Sequence, residues 1–437
     1  MRKILYQVLL ILFTVMIVSS CDDDDDDGSS SVKIGLIFPL STSDNGKPRH
    51  HAALLAAQHL SEAGYTVQTA VEDSKSDRIV GVEAARRLVD NWNAQVLIGA
   101  ASSGVTIEIA EWVSIPRKIP QISYSSTAVK ITDLRDNDNY LFRTVPPDKL
   151  QGRILAQLAQ NQFGVLPNKF ERVAVLYGED DYGEGLYRIF AEEFQNFGGT
   201  ITHTLSHEIF SPRDFDEPPS FETQLDTLAN TGDPQALVAV SLSQDSDIYI
   251  KQALEGKFFN KFIFVDGNRA ETIFKIKNNE DELNVGIVDA LEGMCGTSPI
   301  APPDTESLNT FVASYKTEFG ELTATYLPNT YDAVIIAGLA AYEAKSKGER
   351  ITPITIRNHL SSVAGPSGEK VKAGPTELKR ALELLDSGKE IDYVGASGNV
   401  DFDKKGDVET PYEIWCYEGG KIQTREIIEP DQIKSED

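Results

Sequence analysis

Cysteine, methionine and tryptophan each occur only three times in 437 residues, and histidine six times. The cysteines fall at 21, 295 and 416 with no histidine at metal-ligand spacing beside them, so no metal site is expected. There is no G-x-S-x-G elbow, P-loop or zinc signature, and neither a cofactor nor enzymatic activity is expected. Positive charge is scarce, with 41 Lys and Arg against 67 Asp and Glu and a net charge of −26. That balance argues against nucleic acid or an anionic membrane surface as partner. Long apolar runs are nearly absent as well. The single one, residues 4–18, falls short of the about 20 residues that a bilayer-spanning helix needs.

What is present, 41% hydrophobic and 25% charged residues, describes an ordinary globular chain. Its length exceeds what one core usually serves, so two lobes are expected. The amino terminus differs in kind. Met1-Arg2-Lys3 is a basic start, the apolar run follows, and Val18-Ser19-Ser20-Cys21 ends it. This is an export signal. Residues 22–27 are all aspartate and 28–31 are Gly and Ser, a stretch that repels itself and buries nothing, hence a solvated tether.

The most informative stretch is 97–132. Apolar runs at 96–98 and 119–122 end in small hydroxyl residues, and Val105, Ile109 and Val113 recur at helical spacing between them. The order is strand, loop, helix, strand, loop, with Ser102-Ser103-Gly104 in the first loop and Ser125-Ser126-Thr127 in the second. In an open parallel sheet ligands sit beyond the carboxyl ends of the strands. Hydroxyls, free N–H groups and a helix start gathered there suit a carboxylate or another small anion. No nucleophile stands beside a base, so the stretch reads as a binding site. Around it, strands at 32–39, 65–71 and 140–144 alternate with helices at 50–63 and 77–91. The pattern restarts with a helix at 151–162, a strand at 172–177, a loop at 178–185 and a helix at 186–197. Strands at 236–241 and 262–265 flank a helix at 247–255. Helices at 307–318, 330–346 and 376–385 follow, and 395–421 alternates like a hairpin or meander. Alternation of this kind specifies α/β structure with doubly wound parallel sheets.

Several segments, in this order and spacing, resemble the leucine/isoleucine/valine-binding family, the type I periplasmic solute-binding proteins of ABC transporters. They are residues 97–106, 122–132, Arg143-Thr144, Tyr182-Gly183-Glu184-Gly185, Glu292-Gly293-Met294, Tyr331-Asp332-Ala333-Val334 and 395–402. The resemblance implies two Rossmann-like lobes joined by a three-strand hinge, with crossings near 143–148, 296–299 and 395–399. Lobe 1 is then 32–145 plus 299–396 and lobe 2 is 146–298 plus 397–430, with a tail at 431–437. Residues 1–20 resemble a lipoprotein signal peptide that leaves Cys21 as the lipidated first residue of a 21–31 tether; ordinary signal cleavage is the alternative. Whether Cys295 and Cys416 pair is left open by their spacing.

Carried over by matching positions, the family's site places Ser103, Ser126 and Thr127 on an α-carboxylate, with Ser102 beside them. Tyr182 is the aromatic that covers the ligand, and Asp266 receives an α-ammonium. Ser243 and Gln244 stand where the family often has an aromatic contact, and Tyr124 where it commonly has proline. The first departure counts against an apolar branched-chain ligand. His50 and His51, and Asp44 and Lys47 before them, open toward the cleft mouth in this topology, whereas Trp92, Trp112 and Trp415 read as packing residues and Arg213 as structural. The resemblance thus implies an exported protein, lipid-anchored on the periplasmic face or the cell surface. It would capture an amino acid-like solute by hinge closure and deliver it to ABC permease subunits. A ligand sensor of the same fold, signalling to a membrane partner, is the rival reading.

Overall fold

Six nearly unbroken apolar residues, KIGLIF, can rest only where both faces of a strand are covered. In the computed structural model, which describes residues 31–43, 45–134, 138–210, 218–276 and 279–433, they form β1 (Lys33–Phe38) inside a five-stranded parallel sheet. Beside β1 lie β2 (Gln68–Asp73) and β3 (Val96–Ile98), then β4 (Gln121–Ser123) and β5 (Leu141–Arg143), in the order 2-1-3-4-5. The helices α1 (Gly46–Ala63), α2 (Arg78–Arg86) and α3 (Ser103–Ile109) connect them. After a π turn at Ala110–Ser114, α3 runs on into α4 (Ile115–Arg117), and α5 (Val129–Thr132) follows β4. The helix Leu327–Ser346 carries apolar residues on all sides and is buried over most of its length against α1 and the helix Pro353–Val363, as an all-round apolar helix must be.

A second sheet of seven strands builds the other lobe. Its parallel part holds β6 (Arg172–Gly178), β7 (Thr200–His207), β8 (Ala236–Val240) and β9 (Phe262–Phe264), with Cys295–Pro299 beside β9. Two antiparallel strands, Tyr412–Glu418 and Lys421–Ile428, complete it. The connecting helices are α6 (Asp148–Ala159), α7 (Asp181–Asn196), α8 (Glu222–Ala229) and α9 (Ser243–Glu255). Cys295 and Cys416 face each other across the antiparallel pair and are joined as a disulfide. The question that spacing left open is thus settled by register.

Two family-like segments turn out to hold the hinge region together. Asp332 accepts hydrogen bonds from Tyr393 Oη, the backbone N–H groups of Ala396 and Ser397, and Ser397 Oγ, which ties 395–397 to the long apolar helix. Arg143 is fully buried; its Nε donates to Asp407 Oδ1 at 2.6 Å and its Nη1 to the carbonyls of Ser126 and Ala128. Removing one partner of a buried pair leaves the other uncompensated, so Asp407→Ala is expected to cost about 3–5 kcal/mol in a denaturant titration.

The fold departs from sequence expectation at several points. Residues 178–185 are not all loop, because Asp180 caps α7 by accepting from the Gly183 N–H and the helix begins at Asp181. The helix Pro353–Val363 and the strand Glu369–Lys372 were not anticipated. Val400 and Val408 pack in the core of the first lobe, so we place the last crossing after Val408 rather than after 396. Trp415 is buried, but Trp112 is 60% exposed and is not a packing residue. Cys21, the leader, Asp44 and Arg213 lie outside the described residues.

Candidate functional site

The carboxyl ends of β3 and β4 face those of β6, β8 and β9 across a cleft, and a pocket lies between them. It encloses about 790 Å³ including its open mouth. One wall comes from the two hydroxyl loops, Ser102-Ser103 and Ser125 with Thr127; the other comes from Asp180, Tyr182, Ser243-Gln244 and Asp266. Ser103 is the first residue of α3, and its Oγ accepts from the Ala128 N–H at 3.2 Å, which leaves its own proton for a guest. Ser102 precedes the helix in extended conformation and makes no side-chain cap, so its hydroxyl is uncommitted to the helix. Both loops end parallel strands because short apolar strands give way to small polar residues there, where the backbone must turn.

Six of the seven expected ligand residues line this pocket: Ser102, Ser103, Thr127, Tyr182, Gln244 and Asp266. Ser126 does not. Its Oγ lies 2.8 Å from Thr106 Oγ1 and within reach of the Ala100 and Ala101 carbonyls, so it holds the two loops together. Ser125 takes the wall position instead. One residue's shift in an extended loop reverses which side chain faces the ligand, and sequence offers no signal for it. Gln244 sits in the first turn of α9 rather than before it, its Nε2 donating to the Phe210 carbonyl.

Asp266 is the most heavily hydrogen-bonded group in the wall. Its Oδ1 accepts from Tyr182 Oη at 2.7 Å and Gln151 Nε2 at 2.8 Å, and its Oδ2 accepts from Tyr326 Oη at 2.6 Å. Tyr326 comes from the first lobe, so this last bond crosses the cleft. At Gly267 a Cβ would meet Tyr182 Oη at 2.8 Å and the Ser241 carbonyl at 2.7 Å, which is why only glycine fits beside the acid. Behind Thr127 lies Asp148, fully buried, with neither oxygen in a well-formed hydrogen bond among the described residues. Burial pushes its carboxyl well above the usual range, and the neighbouring Asp266 adds to the effect. Asp266 is thus the negative pole, with the Asp148 carboxyl behind it held toward its neutral form.

Sequence reasoning missed the positive one. Arg49, in the first turn of α1, lines the pocket and is buried. Its Nε and Nη2 donate to the Thr325 carbonyl and hydroxyl, and its guanidinium lies 5.8 Å from the ring of Tyr124 and 5.6 Å from that of Tyr326. Burial lowers its pKa against the opposing influence of Tyr124, Tyr326 and Asp266. Among the described residues Arg49 makes no salt bridge, whereas Arg269, also in the wall, pairs with Glu413 at 2.7 Å. Tyr124 therefore supports Arg49 from within the core. His51 stacks on Phe319, His50 lies beside Phe38, and Lys47 is exposed; none of the three is in the wall. Arg49 left no trace in periodicity, since one cation near a helix start reads as solvated until the packing is known.

With this geometry in view, known proteins supply a frame. The family described as the receptor family ligand binding region matches residues 48–420. The chain is similar to the chemotactic signal transduction system substrate-binding protein BasB of Halobacterium salinarum, 23% identical over 91% of this chain and 89% of that protein. It is also similar to human metabotropic glutamate receptor 8, 34% identical over 35% of this chain, a match that spans only 15% of the receptor. Among solved structures, the leucine-binding protein LivK of Thermotoga maritima superposes with a TM-score of 0.71 at 21% identity, covering 92% of this chain and 99% of that one. LivJ of Streptococcus pneumoniae in complex with isoleucine gives 0.70 at 19% identity, covering 92% and 100%. These structures have the type I periplasmic binding-protein fold, and so does this chain.

Proposed function

The chain belongs to the receptor family ligand binding region, and on that footing we propose that it is an extracytoplasmic, lipid-anchored substrate-binding protein that captures an amino acid in its interlobe cleft. The observation that carries this reading is one pocket with opposed poles. Neutral hydroxyls at Ser102, Ser103 and Thr127 stand at one end, with Ser125 beside them donating to the Ala101 carbonyl, and Asp266 stands at the other. A zwitterion needs both, because a buried charge is costly unless paired. The α-carboxylate goes to the hydroxyls and the α-ammonium to Asp266, with Tyr182 beside it. Arg49 adds a third requirement, an anionic or strongly accepting group on the ligand's side chain, since a buried guanidinium without an ion-pair partner is best satisfied by its guest. Acidic amino acids meet all three.

Function here is affinity plus closure, with no reaction. Cys21 carries the anchor, residues 22–31 are the tether, and the loaded closed form is presented to an ABC permease. A sensor reporting to a membrane partner is the second reading. It is favoured by the likeness to a chemotactic substrate-binding protein and to receptor ligand-binding regions.

The test is a thermal-shift screen of a soluble form beginning at Ser31 against amino acids and small carboxylates. A ligand at 100 times its dissociation constant adds about 2.7 kcal/mol of stability, a visible displacement of the melting curve. Acidic amino acids are expected to respond most strongly. A folded protein that answers to no α-amino acid overturns the assignment. Given a ligand, stimulated uptake in vesicles holding the permease separates the transport reading from the sensor.

A further inference from the structure

Two ion pairs bridge the lobes outside the pocket wall, and both end on one carboxylate. Asp181, the first residue of α7, accepts from Arg78 Nη2 at 2.9 Å and from Lys130 Nζ at 2.8 Å. Arg78 opens α2 and Lys130 belongs to α5, so two separate elements of the first lobe converge on the second. The side chain of Asp181 is only 13% exposed although it lies in a loop-to-helix transition at the cleft mouth. Arg78 is also 3.6 Å from Glu108. Its guanidinium rests over Gly104, where a Cβ would approach Nε and Nη2 to 2.8 Å, one residue from Ser103. On the other side of the contact, Asp181 stands between Asp180 and Tyr182, both in the pocket wall. The latch and the ligand therefore share the same turn of α7.

Resting on the reading of the cleft as a closing amino acid site, we propose that Asp181 is a positioning residue for ligand capture. Its two cross-cleft pairs hold the start of α7, and with it Tyr182 and Asp180, against the guest in the closed form. A carboxylate in the first turn of a helix is favourably placed even when the cleft is open. The two cations gain only on closure, because opening separates them from Asp181 and returns all three groups to water. Pairs this close to solvent are individually weak and screened by salt, with a Debye length of about 8 Å at physiological ionic strength and about 3 Å at 1 M. Closure, and through it affinity, then falls as ionic strength rises.

Small-angle scattering of the ligand-free full chain tests the latch without knowledge of the ligand. The radius of gyration is expected to rise between about 20 mM and 1 M NaCl as closed molecules open. Asp181→Asn is expected to be open already at low salt and to have lost the salt response, with Asp181→Glu restoring it. Lys130→Ala, which removes a partner from the opposite lobe and leaves α7 intact, should shift the profile in the same direction. With L-glutamate as probe, affinity of Asp181→Asn should drop about fivefold at low salt, as for two pairs whose cations stand in solvent, and converge with wild type at 1 M. A radius and salt response unchanged in both Asp181→Asn and Lys130→Ala would overturn the proposal. If glutamate fails to bind wild type, the ligand assignment falls while the scattering result still decides the latch.

Discussion

Asp266→Asn is expected to weaken binding of an α-amino acid by about 3 kcal/mol, more than a hundredfold in dissociation constant. The ammonium loses the charge that offsets its desolvation, and the asparagine amide turns a donor toward groups that themselves donate. Tyr182 Oη, Gln151 Nε2 and Tyr326 Oη all give hydrogen bonds to Asp266. The two hydroxyls can rotate, but flipping the Gln151 amide would forfeit its Nε2 bond to the Thr297 carbonyl, so some loss of stability accompanies the loss of affinity. Isothermal titration alongside a melting curve separates the two effects. Undiminished affinity in a folded Asp266→Asn protein would mean that the ammonium goes elsewhere.

Arg49→Met should discriminate between ligands rather than abolish binding outright. Methionine keeps much of the aliphatic volume between Tyr124 and Tyr326 and removes the guanidinium, along with its bonds to Thr325. For a ligand whose side chain ends in a carboxylate, loss of a charge-assisted contact in a buried pocket costs about 2–4 kcal/mol. A neutral amino acid makes no such contact and should bind the variant as well as wild type, or better, because the buried charge no longer has to be desolvated. Competition titrations of glutamate against leucine on both proteins give the ratio directly. Equal losses for the two ligands would assign Arg49 a structural role.

Much of this was visible in the linear chain, and the visible part has a common character. Runs such as KIGLIF and the alternation of strands and helices reflect burial on both faces of parallel sheets, a pattern local enough to survive in sequence. The hydroxyl clusters after β3 and β4 were legible because small polar residues are confined to the ends of such strands. What escaped notice was set by distance along the chain. Arg49 faces Thr325 and Tyr326, more than two hundred residues away, and Asp148 stands out only through its burial and the nearness of Asp266. The exchange of Ser126 for Ser125 is subtler still. Both are serines in one loop and both reach the Ala101 carbonyl, and only the fold decides which of them lines the pocket. The acids 179–181 read as one solvated run, yet Asp180 caps α7, Asp181 bridges the lobes, and Glu179 stays exposed.

By itself, the sequence determined the α/β class, the two-lobed plan and the hydroxyl-rich loops, all of which follow from periodicity and from the residues that strands and turns demand. Tertiary structure alone decided the charge pattern of the cleft. Which cation, which acids and which serine meet depends on how the lobes face each other, and electrostatic energies depend on that approach and on exclusion of water. Pairing of Cys295 with Cys416 has the same origin, in the register of two antiparallel strands that lie far apart along the chain.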